Sequence, residues 1–119
     1  MMAAVAALET NPEAEVTLLE KNPGFGSKVL ISGGGRCNVT TGFHDLRALV
    51  ERYSRGGKFL QSAFHRFSPQ NVMDWFEAHG VPLKTENDGR VFPCSDDGKD
   101  IVGALEAELI QHKAKVLFR

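Results

Sequence analysis

The sequence predicts an α/β fold: part of a parallel-sheet domain that lacks its first strand and carries an inserted helical and hairpin segment. Three observations predict it. An apolar helix leads into a β-branched strand closing on an acid, a glycine-rich stretch follows, and a late amphipathic helix runs into a second apolar strand. With 14 Lys+Arg against 15 Asp+Glu in 119 residues, the net charge of -1 excludes a strongly basic nucleic-acid clamp. Hydrophobic residues at 42% and charged ones at 24% exclude a disordered or collagen-like chain. The longest apolar run, Met1 to Leu8, falls far short of the roughly 20 residues that cross a bilayer.

Residues 1 to 9 are strong helix formers with no capping residue ahead of them, so the helix is expected to follow an element the chain does not contain. No Lys or Arg precedes this run, and Glu9 to Glu13 stands where a cleavage site would be, so it reads as a helix and not a secretion signal. Thr10-Asn11-Pro12-Glu13 ends it, and Glu15 to Leu19 is a strand closing on Glu20. From Lys21 to Gly42 there is little periodicity and much glycine, which predicts a long ligand-binding loop. Leu46, Leu49, Val50 and Tyr53 then have helical spacing behind Asp45, a capping residue. Gly56-Gly57 interrupts, and Phe59, Leu60, Ala63, Phe64 and Phe67 mark another apolar face.

Ser68-Pro69 is an N-cap followed by proline at the first helical position, and that helix stops at Gly80. Val81 to Thr85 and Arg90 to Phe92 flank Asn87-Asp88-Gly89, a hairpin signature. Ser95-Asp96-Asp97 supplies capping oxygens for a helix with Ile101, Val102, Leu105, Leu109 and Ile110 on one face. Lys115 to Phe118 opens a further strand, and both chain ends are expected to be cut.

An acid at the end of a strand after an apolar helix is what a dinucleotide-binding βαβ unit places on a ribose, and Glu20 occupies that position. Counting back about 20 residues puts the glycine turn of such a unit before Met1, so by its residues alone Glu20 is a solvated strand-end carboxylate. The run Ser32-Gly33-Gly34-Gly35-Arg36-Cys37-Asn38 carries more. Three glycines allow close backbone approach and could turn several N–H groups to one point, while Arg36 and Lys28 could neutralise a pyrophosphate. A flexible linker is the alternative. Cys37 has no His nearby in sequence and reads as a buried small side chain rather than a nucleophile. Neither Cys37 nor Cys94 belongs to a C-x-x-C pair, and a reducing cytoplasm is expected.

His44, His65, His79 and His112 lack metal-ligand spacing, and no metal is expected. Arg47, Arg52, Arg55, Lys58 and Arg66 against Asp45 and Glu51 give residues 45–66 a local excess of three positive charges. A solvated helix face is the plainer reading of that excess, and a surface for phosphates or structured RNA the other.

Four motifs together resemble one family: Glu20-Lys21-Asn22-Pro23, Gly26-Ser27-Lys28, Ser32 to Thr40, and Gly89 to Asp96 are similar to the YhiN/BaiN-type NAD(P)/FAD-dependent oxidoreductases, also described as aminoacetone-oxidase-like flavoproteins. The resemblance runs through the whole chain, whereas that family's proteins are several times longer, so it implies an N-terminal fragment. It implies a Rossmann-like fold whose FAD ribose is held by Glu20. It also implies cofactor contacts from Lys21, Lys28, Ser32, Gly33, Gly34, Gly35, Arg36, Cys37 and Asn38. Ser27 stands where the family usually has Arg, and Thr41 where Asn is usual.

On this reading the chain is a single incomplete FAD-binding region. Residues 1–42 are its nucleotide-binding part, 43–97 its helices and hairpin, and 98–119 the helix and strand returning to the sheet. The expected function is the FAD-binding portion of a flavin-dependent oxidoreductase that reduces an activated C=C bond with electrons from NAD(P)H, the fragment alone being inactive. The substrate is a small molecule or a nucleobase; no residue identifies the catalytic groups or the oligomeric state. The alternatives are a nonenzymatic phosphate- or RNA-binding module and an inactive truncated product.

Overall fold

The computed structural model describes all residues, Met1–Arg119. The chain is mixed α/β, and its elements divide between two compact units, residues 1–37 with 97–119 and residues 38–96.

The first unit contains α1 (Met2–Thr10), β1 (Thr17–Glu20), α2 (Ser27–Ile31) with a short 3-10 turn (Ser32–Gly35) after it, and two elements from the end of the chain. Its two strands, β1 and a C-terminal strand over Lys115–Phe118, pair in parallel, Thr17 opposite Lys115 and Glu20 opposite Phe118. A parallel pair needs a long crossover, which is why these partners come from opposite ends of the sequence. Val5 and Leu8 of α1 are buried, as are Ile101, Leu105 and Leu109 of the helix over Gly98–Gln111, and the two helices pack on each other. That i, i+4, i+8 stripe, with buried Val102, is the face the apolar periodicity predicts, corrected at Ile110, which is 77% exposed. Opposite faces of the strand pair differ: Leu18 and Val116 are half-buried, whereas Leu19 and Leu117 are exposed.

The expected loop from Lys21 to Gly42 is corrected by α2 and the 3-10 turn. Gly26 starts α2 from a left-handed conformation, φ +72°, and a Cβ there would collide with the Val102 side chain. A five-residue helix between Gly26 and Ser32 is too short to display a 3.6-residue period, so pattern reading passes over it. The expected strand 15–19 begins at Thr17 and includes Glu20.

The second unit contains β2 (Thr40–Thr41), α3 (Leu46–Glu51), α4 (Gly57–Arg66), α5 (Pro69–Ala78), β3 (Leu83–Thr85) and β4 (Arg90–Pro93). Its sheet is antiparallel in the order β2-β4-β3, with Val91 and Phe92 of the central strand fully buried. Local chemistry sets each boundary. The Asp45 carboxylate accepts from the Arg47 and Ala48 N–H groups to cap α3, and Ser68 and Asn71 form a reciprocal capping box at α5. Gly89, at φ +82°, closes the turn between β3 and β4. In chain order the remaining elements are α6 (Gly98–Gln111), capped by Asp97, and β5 (Lys115–Phe118). No helix is long and apolar enough to cross a membrane.

Candidate functional site

Glu20 ends β1, so its carboxylate stands at the carboxyl edge of a parallel strand, the edge at which α/β sheets receive ligands. Its Oε1 accepts from the Asn22 backbone N–H at 2.8 Å and from the Asn22 side-chain amide at 2.7 Å. The backbone bond leads the influences that hold this carboxyl below its usual range, the side-chain amide assisting, while desolvation opposes them. Both donors fall on one oxygen, so Oε2 lies outside the pair as an acceptor for a hydroxyl. Asn22 had no assigned role in the sequence reading; the Glu-x-Asn spacing, which lets a side-chain oxygen reach the N–H two residues on, is the signal for it.

A cavity of about 480 Å³ adjoins this acid, lined among others by Glu20, Lys21, Asn22, Gly26 and Lys28. Lys21 and Lys28 are exposed, so their ammonium groups face water at its rim. The structure thus gathers Glu20, Lys21 and Lys28 around one concavity, with Ser27 also on its wall.

The glycine run lies elsewhere in the same unit. Gly33, Gly34 and Gly35 have φ of +56°, +70° and +91°, left-handed values that three consecutive side-chain-bearing residues would not sustain. The backbone N–H groups of Arg36 and Cys37 do turn to one point, but that point is the Ser32 carbonyl. Ser32 also donates its hydroxyl to the Val29 carbonyl at 2.9 Å, joining the turn to α2. Cys37 itself is left-handed, φ +61°, and buried, and burial pushes its thiol up, which keeps it protonated and unreactive. Asn38 accepts the Val91 N–H on its Oδ1 at 3.1 Å, which holds its side chain against β4 of the second unit.

Gly98, to which the sequence analysis assigns no role, is what allows this packing. A Cβ there would lie 2.9 Å from the Gly35 carbonyl oxygen and 3.3 Å from the Cys37 Cβ, so only glycine brings the start of α6 against the turn. Its signal is a glycine directly after a capping Asp.

These residues fit the adenosine half of a dinucleotide. An ionised carboxylate at a strand end accepts ribose hydroxyls, and ammonium groups beside it offset phosphate charge. Glu20, Lys21 and Lys28 would hold that half; the Ser32 to Cys37 turn is closed on itself, and Arg36, half-buried, is its cation.

The chain matches, over residues 1–119, the family described as HI0933-like protein Rossmann domain. It is 28% identical over 116 residues to a 3-dehydro-bile acid delta(4,6)-reductase of Clostridium scindens, covering 98% of this chain and 27% of the relative. It is 32% identical over 114 residues to a ribosomal RNA dihydrouridine synthase of Escherichia coli, covering 96% of this chain and 27% of the relative. A protein of the same name in Haemophilus influenzae is 30% identical over 105 residues, 87% of this chain and 25% of the relative. The chain spans about a quarter of the length of these curated relatives.

Proposed function

Since the chain belongs to the HI0933-like protein Rossmann domain family, the flavoprotein family its motifs resemble, we propose that it is the FAD-binding part of a flavin-dependent oxidoreductase that reduces an activated C=C bond with electrons from NAD(P)H. The observation that carries the FAD reading is the Glu20 carboxylate, held ionised by Asn22 at the end of a parallel strand and opening on a cavity shared with Lys21 and Lys28. Bound FAD would supply the hydride chemistry. The protein's own share is to accept the ribose hydroxyls on Glu20 and to offset phosphate charge with the two lysines.

The reaction type draws support from the relatives' names. A delta(4,6)-reductase and a dihydrouridine synthase both add hydrogen across a carbon–carbon double bond activated by a carbonyl, in one case of a steroid and in the other of a nucleobase. The substrate class proposed here is accordingly a conjugated carbonyl compound, free or as a base. A cytoplasmic setting belongs to the same reading and is in keeping with two free cysteines.

The test is Glu20→Ala in the intact protein that carries this chain, following bound flavin after dialysis. Losing hydrogen bonds to a charged acceptor is expected to weaken FAD retention about 10- to 100-fold with the fold intact by circular dichroism. Unchanged occupancy would remove Glu20 from the site. Anaerobic mixing with NADH or NADPH, then with an enone or uridine, tests the reaction. Flavin that bleaches with neither nicotinamide refutes the electron donor, and bleached flavin that no acceptor restores refutes the substrate class.

A further inference from the structure

We propose that the cavity between α3 and α4 binds a small zwitterion, a free amino acid with an apolar or aromatic side chain, its carboxylate on Arg47 and Lys58 and its ammonium group on Glu51. Charge is the first observation. Arg47 and Glu51 of α3 and Lys58 of α4 all border an open cavity of about 560 Å³. All three are exposed, and none of them joins an ion pair, whereas Lys84 pairs with Asp96 and Arg90 with Asp88. Arg47 and Glu51 stand one helical turn apart with the cation on the N-terminal side, the weaker order for an i, i+4 pair. The wall therefore offers two cationic donors and one anionic acceptor to a ligand that carries both signs.

Shape is the second observation. Gly56, at φ +75°, turns the chain sharply into α4, and a Cβ on Gly57 would run into the Val50 carbonyl, so the two glycines hold the helices close around one concavity. Its volume lies within the span of small-molecule sites, about 300–1,000 Å³. Val50 and Tyr53 supply its apolar wall. Tyr53 is 44% exposed and rests at a tilt on Phe64, ring centroids 5.9 Å apart, so one side of the ring is supported and the rest is open. The side chains of Ser54 and Gln61 also border the cavity, and neither is engaged in a hydrogen bond within the protein.

The mixture of signs selects the ligand. A phosphate monoester, with a charge of about -1.5 to -2 at neutral pH, meets like charge at Glu51, and a simple amine meets like charge at Arg47 and Lys58. A plain carboxylate leaves Glu51 without a partner beside it. An ammonium group and a carboxylate carried on one carbon answer all three groups, and an apolar side chain is then covered by Val50 and the open part of the Tyr53 ring. Neighbouring cations stand apart from this arrangement: Arg52 lies over the Phe43 ring, 3.7 Å from its centre, and neither it nor Arg55 borders the cavity. The proposal goes beyond the flavin reading and does not depend on it, since binding is read without turnover.

The experiment titrates the intact protein with L-phenylalanine by isothermal titration calorimetry, beside three analogues: 3-phenylpropanoate, which lacks the ammonium group, phenethylamine, which lacks the carboxylate, and phenyl phosphate. L-Phenylalanine is expected to bind with a Kd below about 10 mM and each analogue at least about fivefold more weakly. Glu51→Gln is expected to weaken L-phenylalanine by about fivefold or more while leaving 3-phenylpropanoate as tight or tighter. Arg47→Gln with Lys58→Gln is expected to weaken both of those ligands and to spare phenethylamine. Tyr53→Ala is expected to weaken L-phenylalanine about 2- to 10-fold with the fold intact by circular dichroism. Lys84→Gln, which removes a cation already paired, should change none of these values. Absence of saturable L-phenylalanine binding, or binding that survives both Glu51→Gln and the double variant, overturns the proposal. Equal binding of 3-phenylpropanoate overturns it in favour of a plain carboxylate, and tighter binding of phenyl phosphate overturns it in favour of a phosphate ester. Flavin occupancy, read in every variant, separates failure here from failure of the FAD site.

Discussion

The two compact units bury their cores by opposite strategies. The second, residues 38–96, is continuous in sequence, and its antiparallel sheet joins β3 to β4 through one tight turn. The first takes its two strands from opposite ends of the chain and pairs them in parallel, Leu18 with Val116 and Leu19 with Leu117. Their chemistry differs in the same way. One presents an anionic acceptor pinned by its own loop, the other pairs cations with acids, Lys84 with Asp96 and Arg90 with Asp88. Local pairing lets the second unit close through short connections, while the first closes only when distant segments meet.

Core truncation is the strongest way to break that comparison. Phe92 is fully buried in the central strand of the second unit, and Leu109 is 2% exposed in α6 of the first. Phe92→Ala is expected to cost about 3–5 kcal/mol and Leu109→Ala about 2–5 kcal/mol. Native-state hydrogen exchange should show each loss in its own amides, those of β3 and β4 for Phe92→Ala and those of α1 and α6 for Leu109→Ala. If either variant opens both sets together, the units are a single cooperative structure and the contrast between them is lost.

What was legible in the sequence follows the same division. Asp45, Ser68 with Pro69, Gly80 and Asn87-Asp88-Gly89 are punctuation whose partners lie within four residues, and the structure places helix ends and the hairpin turn at them. The α6 stripe and the strand at Lys115 were readable for the same reason. Roles set by distant partners were not readable. Nothing near Asn38 announces that Val91 will donate to its side chain, nor does the glycine run announce that the Arg36 and Cys37 N–H groups after it will close on the Ser32 carbonyl. Glu20 was legible as a position, at the end of a strand, and the Glu-x-Asn spacing behind its pinning by Asn22 is local and was there to be read as well.

A smaller change sharpens the account of the glycine turn. Gly98→Ala forces a methyl group to within 2.9 Å of the Gly35 carbonyl oxygen, against backbone that cannot rotate away. Overpacking of this kind costs about 1–3 kcal/mol, and a thermal melt should show it. Cys94 is exposed and provides an internal reference for thiol labelling, against which buried Cys37 should react slowly in wild type. In Gly98→Ala the Cys37 rate should rise while the Cys94 rate stays fixed. A Cys37 that remains protected after the substitution would mean that the turn does not need α6 against it.

The smallest expected effect concerns acid. The Glu20 carboxyl titrates below its ordinary 4.5 because the folded chain donates the Asn22 N–H to the ionised form. A group whose folded value is depressed contributes stability above its unfolded value and loses that contribution as pH falls through the folded one. The Glu20–Asn22 turn should therefore be indifferent to pH from neutral down to about 4.5 and weaken only below it. Because this half-buried carboxyl lies at the surface end of a strand, the global fold should barely register the change, and the sensitive readout is flavin retention in the intact protein. Occupancy is expected to hold flat to that point and then to decline, and Glu20→Gln, which cannot titrate, is expected to lack this acid step at lower overall occupancy. An identical acid profile in Glu20→Gln would assign the decline to another group and leave the first unit without its anionic acceptor as the feature that sets it apart.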